Sequence, residues 1–135
     1  MLTLGEKSVL ATVLLGLSVL QLVAIATARG WIGRTAPPAR RKLALWHRLE
    51  GYAAIALILV ISYYCIQLYP GSGTTRVSVH IGLGITVISL SVLKVAVMRL
   101  FPRFFPLMPL LGALLFTALI AIWISSAGWY YFWLG

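Results

Sequence analysis

Residues 76–99 read RVSVHIGLGITVISLSVLKVAVMR, and the reading of this stretch decides the fold. It is apolar over a length that crosses a bilayer, for which about 20 residues of helix suffice. Wound as a helix, one stripe of it carries His80, Gly84, Val87, Ser91, Lys94 and Met98, the repeat of a single α-helical face. A helix that only had to dissolve in lipid would not place an imidazole near one end of a stripe and an ammonium near the other. The stretch predicts a spanning helix whose polar stripe faces the rest of the chain.

The composition agrees. Of 135 residues, 61% are hydrophobic and 10% charged, against roughly 45–50% and 25% in soluble domains. The reading is an all-α integral membrane protein with a single transmembrane domain over residues 1–135. A formal net charge of +9 does not indicate nucleic acid, because the cations stand between apolar runs, where they orient a membrane protein. The single cysteine, Cys65, lies inside an apolar run and reads as a small packed residue. It allows neither an internal disulfide nor a zinc cluster, and no Cys-x-x-Cys-His is present for covalent haem attachment.

Four apolar runs are long enough to span: about 8–28, 43–68, 77–98 and 107–131. The first is too long for the core of a signal peptide, and Glu6-Lys7 is a weak basic leader, so it reads as a retained helix. Residues 29–42 read as a basic loop in which Pro37-Pro38 blocks helix, Pro70-Gly71-Ser72-Gly73 as a short turn, and residues 101–106 as a tight aromatic turn. Short connections predict an up-down four-helix bundle.

The cations orient it. Arg29, Arg34, Arg40, Arg41, Lys42, Arg48, Lys94, Arg99 and Arg103 gather on one side, and Lys7 and Arg76 on the other. The positive-inside rule then places both termini and the Pro70 turn outside. Tyr63, Tyr64, Tyr69, Trp129, Tyr130, Tyr131 and Trp133 form one aromatic belt, and Trp31, Trp46, Phe101, Phe104 and Phe105 the other.

The chain has two histidines, and each opens the pattern His-x-x-x-Gly at the start of a span: His47 with Gly51, and His80 with Gly84. Arg48 and Arg76 stand close by in sequence. A glycine one turn after a histidine leaves flat space beside the imidazole, which a porphyrin ligated through that imidazole needs; its propionates need cations at the water boundary. The bland alternative is a hydrogen-bonding histidine at headgroup depth. The second helix repeats the stripe as His47, Gly51, Ala54, Ile58, Ser62 and Cys65. Because the two helices run antiparallel, the histidines fall near opposite faces, roughly 20 Å apart. Axial ligands of one iron stand about 4 Å apart, so one haem cannot bridge them within a monomer. The options are two rings, one per leaflet; a homodimer that pairs each histidine with its copy; or no cofactor.

Glu50 and Lys94 fall at similar depth, as an ion pair between the second and third helices, or with Lys94, Arg99 and Arg48 as a site for an anionic group such as a haem propionate, a quinone carbonyl or a lipid phosphate. A proton path from His80 through Ser91 to Lys94 is broken by dry residues Val87 and Ile88. Late in the chain, Trp123-Ile-Ser-Ser-Ala-Gly-Trp129 sets small residues between two indoles, either for close approach of a helix or ring or as a plain aromatic anchor.

Taken together, Trp46-His47-Arg48-Leu49-Glu50-Gly51-Tyr52, Arg76-x-x-x-His80-x-x-x-Gly84, the Lys94 and Arg99 pair and the Trp123–Trp129 segment resemble a family of small uncharacterised bacterial four-helix membrane proteins. They are loosely similar to the four-helix b-type cytochromes of the cytochrome b561 and ferric-reductase-like group, which supply two histidines per haem where this chain offers one per leaflet. The resemblance implies a haem b electron-transfer protein or a subunit of a respiratory complex. His47 and His80 would be axial ligands, Gly51 and Gly84 would make room, and Arg48, Arg76, Lys94 and Arg99 would neutralise anionic groups. Quinone or a periplasmic carrier would exchange electrons with a partner subunit or a second copy. The rival expectation is a non-catalytic scaffold subunit of a respiratory or photosynthetic complex that binds lipid or a chlorophyll-type pigment, for which one ligand per ring is enough. Enzymatic activity is expected, at most, as electron transfer.

Overall fold

The computed structural model describes residues 3–33, 36–67 and 75–133, apart from the side chains of Leu4, Gln67, Arg76 and Trp133. The order is α1 (Leu4–Ala28), α2 (Pro37–Gln67), α3 (Thr75–Leu100), a 3₁₀ turn (Pro102–Leu107), α4 (Met108–Trp123), a π turn (Ile124–Gly128) and α5 (Trp129–Trp133). There is no strand among the described residues. Four helical segments are long and apolar enough to cross a membrane, the last being the joined stretch from Pro102 to Phe132. The all-α four-helix bundle expected from the sequence is the architecture observed.

The ends of the helices follow from local chemistry. Thr3 caps α1: its Oγ1 accepts from the Glu6 N–H at 3.2 Å, and the Glu6 carboxylate accepts from the Thr3 N–H at 2.6 Å. This reciprocal capping box satisfies donors that a helix start leaves open. The expected loop over 29–42 is shorter than predicted. Helix α2 begins at Pro37, because a proline in the first turn gives up only an N–H that has no helical partner there. Arg40, Arg41 and Lys42 therefore ride on the first turns of α2. The aromatic turn at 101–106 is a 3₁₀ helix, and Arg103 lies 4.8 Å over the Phe104 ring. The predicted Pro70–Gly73 turn, Leu68, Tyr69 and Arg34 lie outside the described residues.

The interior mixes small and hydroxyl side chains with aliphatic ones such as Leu14, Ile58, Val87 and Leu119. Ser8, Ser18, Ala26, Ala54, Ser91, Ala118 and Ala127 are buried, while Ile66, Val92 and Phe132 are 75%, 64% and 79% exposed. Small residues at the contacts let helices approach closely in lipid, where burial of apolar surface between them drives little. The buried hydroxyls bond back along their own helices, Ser18 to the Leu14 carbonyl and Ser91 to the Val87 carbonyl, each at 2.8 Å. These two hydroxyls therefore present no open donor to hydrocarbon.

Neighbours pair unequally. Helix α1 packs closely on α2, and α3 on α4, whereas α2 and α3 approach each other at few points. Lys7 Nζ donates to the Tyr64 carbonyl at 3.3 Å at one end, and Arg99 Nη2 donates to the Tyr52 hydroxyl at 2.7 Å at the other. These two bonds fix the antiparallel register of the bundle. The end that holds Arg99 is termed the basic end below.

Candidate functional site

The stripe that opened the sequence reading is partly the buried face of α3. Val87 and Ser91 are buried, Gly84 and Lys94 half-buried. At its last position the stripe leaves the core: Met98 is 42% exposed and Val97 is buried in its place. A straight helix of 3.6 residues per turn drifts off a seven-residue repeat, and Val97 takes over against Met108 and Leu111.

At the end away from the cations, the loose α2/α3 approach opens a cavity of about 470 Å³, within the range of small-molecule sites. All four spanning segments contribute to its wall. His80 and Gly84 come from α3, Ser62 and Cys65 from α2, and Trp123 and Ser126 from the last span; nearly all the rest is aliphatic. Ile66, Ile81 and Ile85 also line it and are 75%, 42% and 60% exposed. The mouth is therefore between α2 and α3, toward lipid. A Cβ on Gly84 would meet the Ile122 side chain at 3.8 Å, an ordinary contact, so this glycine sets the cavity wall where α3 faces α4.

The π turn shapes the far wall. Ser125 and Ser126 donate to the Ile122 carbonyl at 2.9 and 2.6 Å, and the Trp129 N–H reaches the Ile124 carbonyl. This wide turn carries one residue more than an α turn and is a recurrent feature of functional sites. It sets Trp123 across to α1, where its indole N–H donates to Thr12 Oγ1 at 3.0 Å. Gly128 packs tightly on this indole: a Cβ there would lie 3.3 Å from the Trp123 ring, which would have to give by a few tenths of an ångström. The Ser-Ser-Ala-Gly run, weak in helix propensity for a spanning segment, was the signal available in the sequence.

At the basic end, His47 is half-buried and its Nδ1 stands 3.1 Å from the Gln21 carbonyl. A carbonyl can only accept, so Nδ1 carries the proton and Nε2 of the neutral ring keeps a lone pair. Lys94 is close enough to bear electrostatically on that imidazole. Nothing lies within 4 Å of where a Cβ on Gly51 would be. The Glu50 Oε2 and Gln21 Nε2 atoms are buried without a hydrogen-bond partner. The expected Glu50–Lys94 ion pair is not formed: no carboxylate oxygen lies within 4.0 Å of Lys94 among the described residues. The other cations disperse. Arg48, one position after His47, is exposed; Arg99 turns to Tyr52; of Arg76 only the backbone, in the first turn of α3, is described.

The two histidines are far apart, as the antiparallel reading required. Along α2, His47 is 18 residues from Cys65, which shares the cavity with His80; that is about 27 Å of helix. Ser91 does not connect the ends, since its hydroxyl is spent on its own helix. Among the described residues no group of three or more His, Cys, Asp or Glu side chains converges. A bare ion has no protein cage there, whereas a metal that brings its own macrocycle needs one axial side chain.

The model of a family of unknown function, DUF6529, matches residues 2–134. The chain belongs to that family. The match covers α1 to α5 and both histidine-bearing ends of this DUF6529 chain. No curated protein and no solved structure matches it.

Proposed function

We propose that this DUF6529 protein holds tetrapyrrole rings in the membrane, as a b-type haem electron-transfer protein or the haem-bearing subunit of a respiratory complex. The observation that carries the reading is the cavity at His80: ligand-sized, formed by all four spans, and apolar except for one imidazole, two hydroxyls, a thiol and an indole. A hydrophobic wall with few placed polar groups is what a ring ligand requires. His47 supports a second ring. Histidines that ligate a metal nearly always donate their other ring N–H to a carbonyl or carboxylate, as Nδ1 of His47 does to Gln21, and the space over Gly51 is open.

Bound haem iron would supply one-electron chemistry. The chain's own residues have separate tasks. His80 offers its imidazole, Gly84 and Ile122 form a wall, and the aliphatic lining excludes water. At the other end the Gln21 carbonyl fixes the His47 tautomer, and Lys94 offers positive charge to an anionic substituent. With the cations on the cytoplasmic side of a bacterial inner membrane, both termini would face outward. A quinol or a periplasmic carrier would meet the cavity end, and a partner subunit or a second copy would take the electron.

A second reading rests on a specific observation: each site offers one imidazole, and the cavity mouth is rimmed by isoleucines that face lipid. A chlorophyll-type pigment needs only one axial ligand, and a lipid tail needs none. A non-catalytic, pigment- or lipid-binding scaffold subunit fits that geometry. An absorption spectrum of protein purified from its native membrane separates the readings. A Soret band with α and β bands that sharpen under dithionite supports haem. Absorption at long red wavelengths supports chlorophyll. A colourless, fully folded protein contradicts both ring readings and leaves the lipid scaffold.

A further inference from the structure

The α2/α3 seam continues past the cavity toward the basic end as a second space of about 470 Å³. Its walls are two facing stripes, Ile55, Ile58 and Leu59 of α2 and Ile88, Val92 and Val95 of α3. Leu59 and Val92 are 56% and 64% exposed, so this groove is open on its lipid side. From Ile88 to Arg99 the groove follows twelve residues of α3, about 16 Å from first to last. That is one leaflet of a hydrocarbon core roughly 30 Å thick.

The groove ends at a guanidinium. Arg99 lines it, and one of its nitrogens donates to the Tyr52 hydroxyl at 2.7 Å. That bond uses one of five N–H donors and holds the fork in place. No carboxylate oxygen lies within 4.0 Å of Arg99 among the described residues. The chain cannot readily supply one. It has two acidic residues against eleven Lys and Arg; Glu6 is engaged with Thr3 at the opposite end, and Glu50 forms no ion pair with Arg99. A second copy would bring a further charge of +9 to the same end. An anionic headgroup of the bilayer would complement this charge.

We infer that the α2/α3 groove binds one anionic phospholipid, an acyl chain lying along Ile55, Leu59, Val92 and Val95 and the phosphate held by Arg99. This site is separate from the two histidines and does not depend on any ring being bound. An arginine near the surface contributes about fivefold in affinity for an anionic headgroup.

The test is native mass spectrometry of the full chain from mixed micelles with equimolar phosphatidylglycerol and phosphatidylcholine. The wild type is expected to retain one phosphatidylglycerol in preference to phosphatidylcholine. Arg99→Gln is expected to lose about fivefold of that preference, and Arg99→Lys to keep most of it. Val92→Trp fills the groove from its lipid-facing side and is expected to lose the bound lipid while the charge stays in place. Dihexanoyl phosphatidylglycerol, with the same headgroup and short chains, is expected to compete poorly, and inorganic phosphate not at all. Equal retention of both lipids by the wild type overturns the inference. So does full competition by inorganic phosphate, or a lipid-free dimer that Val92→Trp dissociates.

Discussion

His47 and His80 open the same four-residue pattern, yet the bundle gives them different surroundings. At His80 the helices stand apart, and the imidazole lines an apolar cavity that opens toward lipid. At His47 the ring is tied to a backbone carbonyl of α1 and shares its level with Glu50, whose buried oxygen has no partner, and with Lys94. The cause is the neighbouring helix. Helix α1 packs closely on α2, with Ser18 and Ala26 buried toward the His47 end and Ser8 toward the other. Around His80, α1 still lines the wall with Ala11, Leu14 and Leu15, and the last span completes it, its π turn beside Trp123, which bonds Thr12. A short motif sets which side chain is offered; the packing partner decides whether the space beside it becomes a cavity.

The largest test of this contrast fills one end. Gly84→Phe should place a ring into the His80 cavity and abolish ligand binding there, while leaving His47 and its contact to Gln21 intact. Equal loss of ligand at both ends would mean that the two regions are one site. Gly51→Phe is the mirror experiment at the basic end, where open space predicts that the fold tolerates it.

A smaller effect is expected at the wall. Gly128→Ala sets a methyl 3.3 Å from the Trp123 ring and should destabilise the protein by roughly 1–3 kcal/mol, measured as a lower thermal midpoint in detergent. Trp123→Phe keeps the ring but removes the bond to Thr12, for about 1 kcal/mol. An unchanged midpoint in both would show that the π turn does not depend on this indole. The smallest effect is at Gln21. His47 uses its backbone carbonyl, not its side chain, so Gln21→Leu should keep the histidine contact and relieve a buried unpartnered amide, raising stability by up to about 1 kcal/mol. A loss of stability would show that the amide has a partner in the membrane.

Much of the bundle was legible from hydropathy, because four apolar runs of spanning length admit few arrangements. The depth of the histidines was legible too, since antiparallel neighbours put two N-terminal residues at opposite ends. What escaped depended on groups that periodicity does not weigh. Pro37 looked like a helix breaker and is a helix start. Thr3 and Glu6 form a capping box that a reading for charge alone passes over. Gln21 holds His47 through its backbone carbonyl, which no side-chain pattern reveals. Arg99 was grouped with Lys94 by sequence distance, but five residues on a helix turn them to different faces, and Arg99 meets Tyr52. The π turn lay in Ser-Ser-Ala-Gly, and only its partners on α1 show why it is there.

The central claim is two independent ring sites, one at each end of the bundle. The most direct measurement is the ratio of bound tetrapyrrole to protein, read by absorption and solvent extraction, for the wild type and for His47→Ala and His80→Ala. About two rings per chain are expected in the wild type and about one in each single variant, with distinct residual spectra. An unchanged ratio in both variants, or complete loss of colour in either one, contradicts that claim.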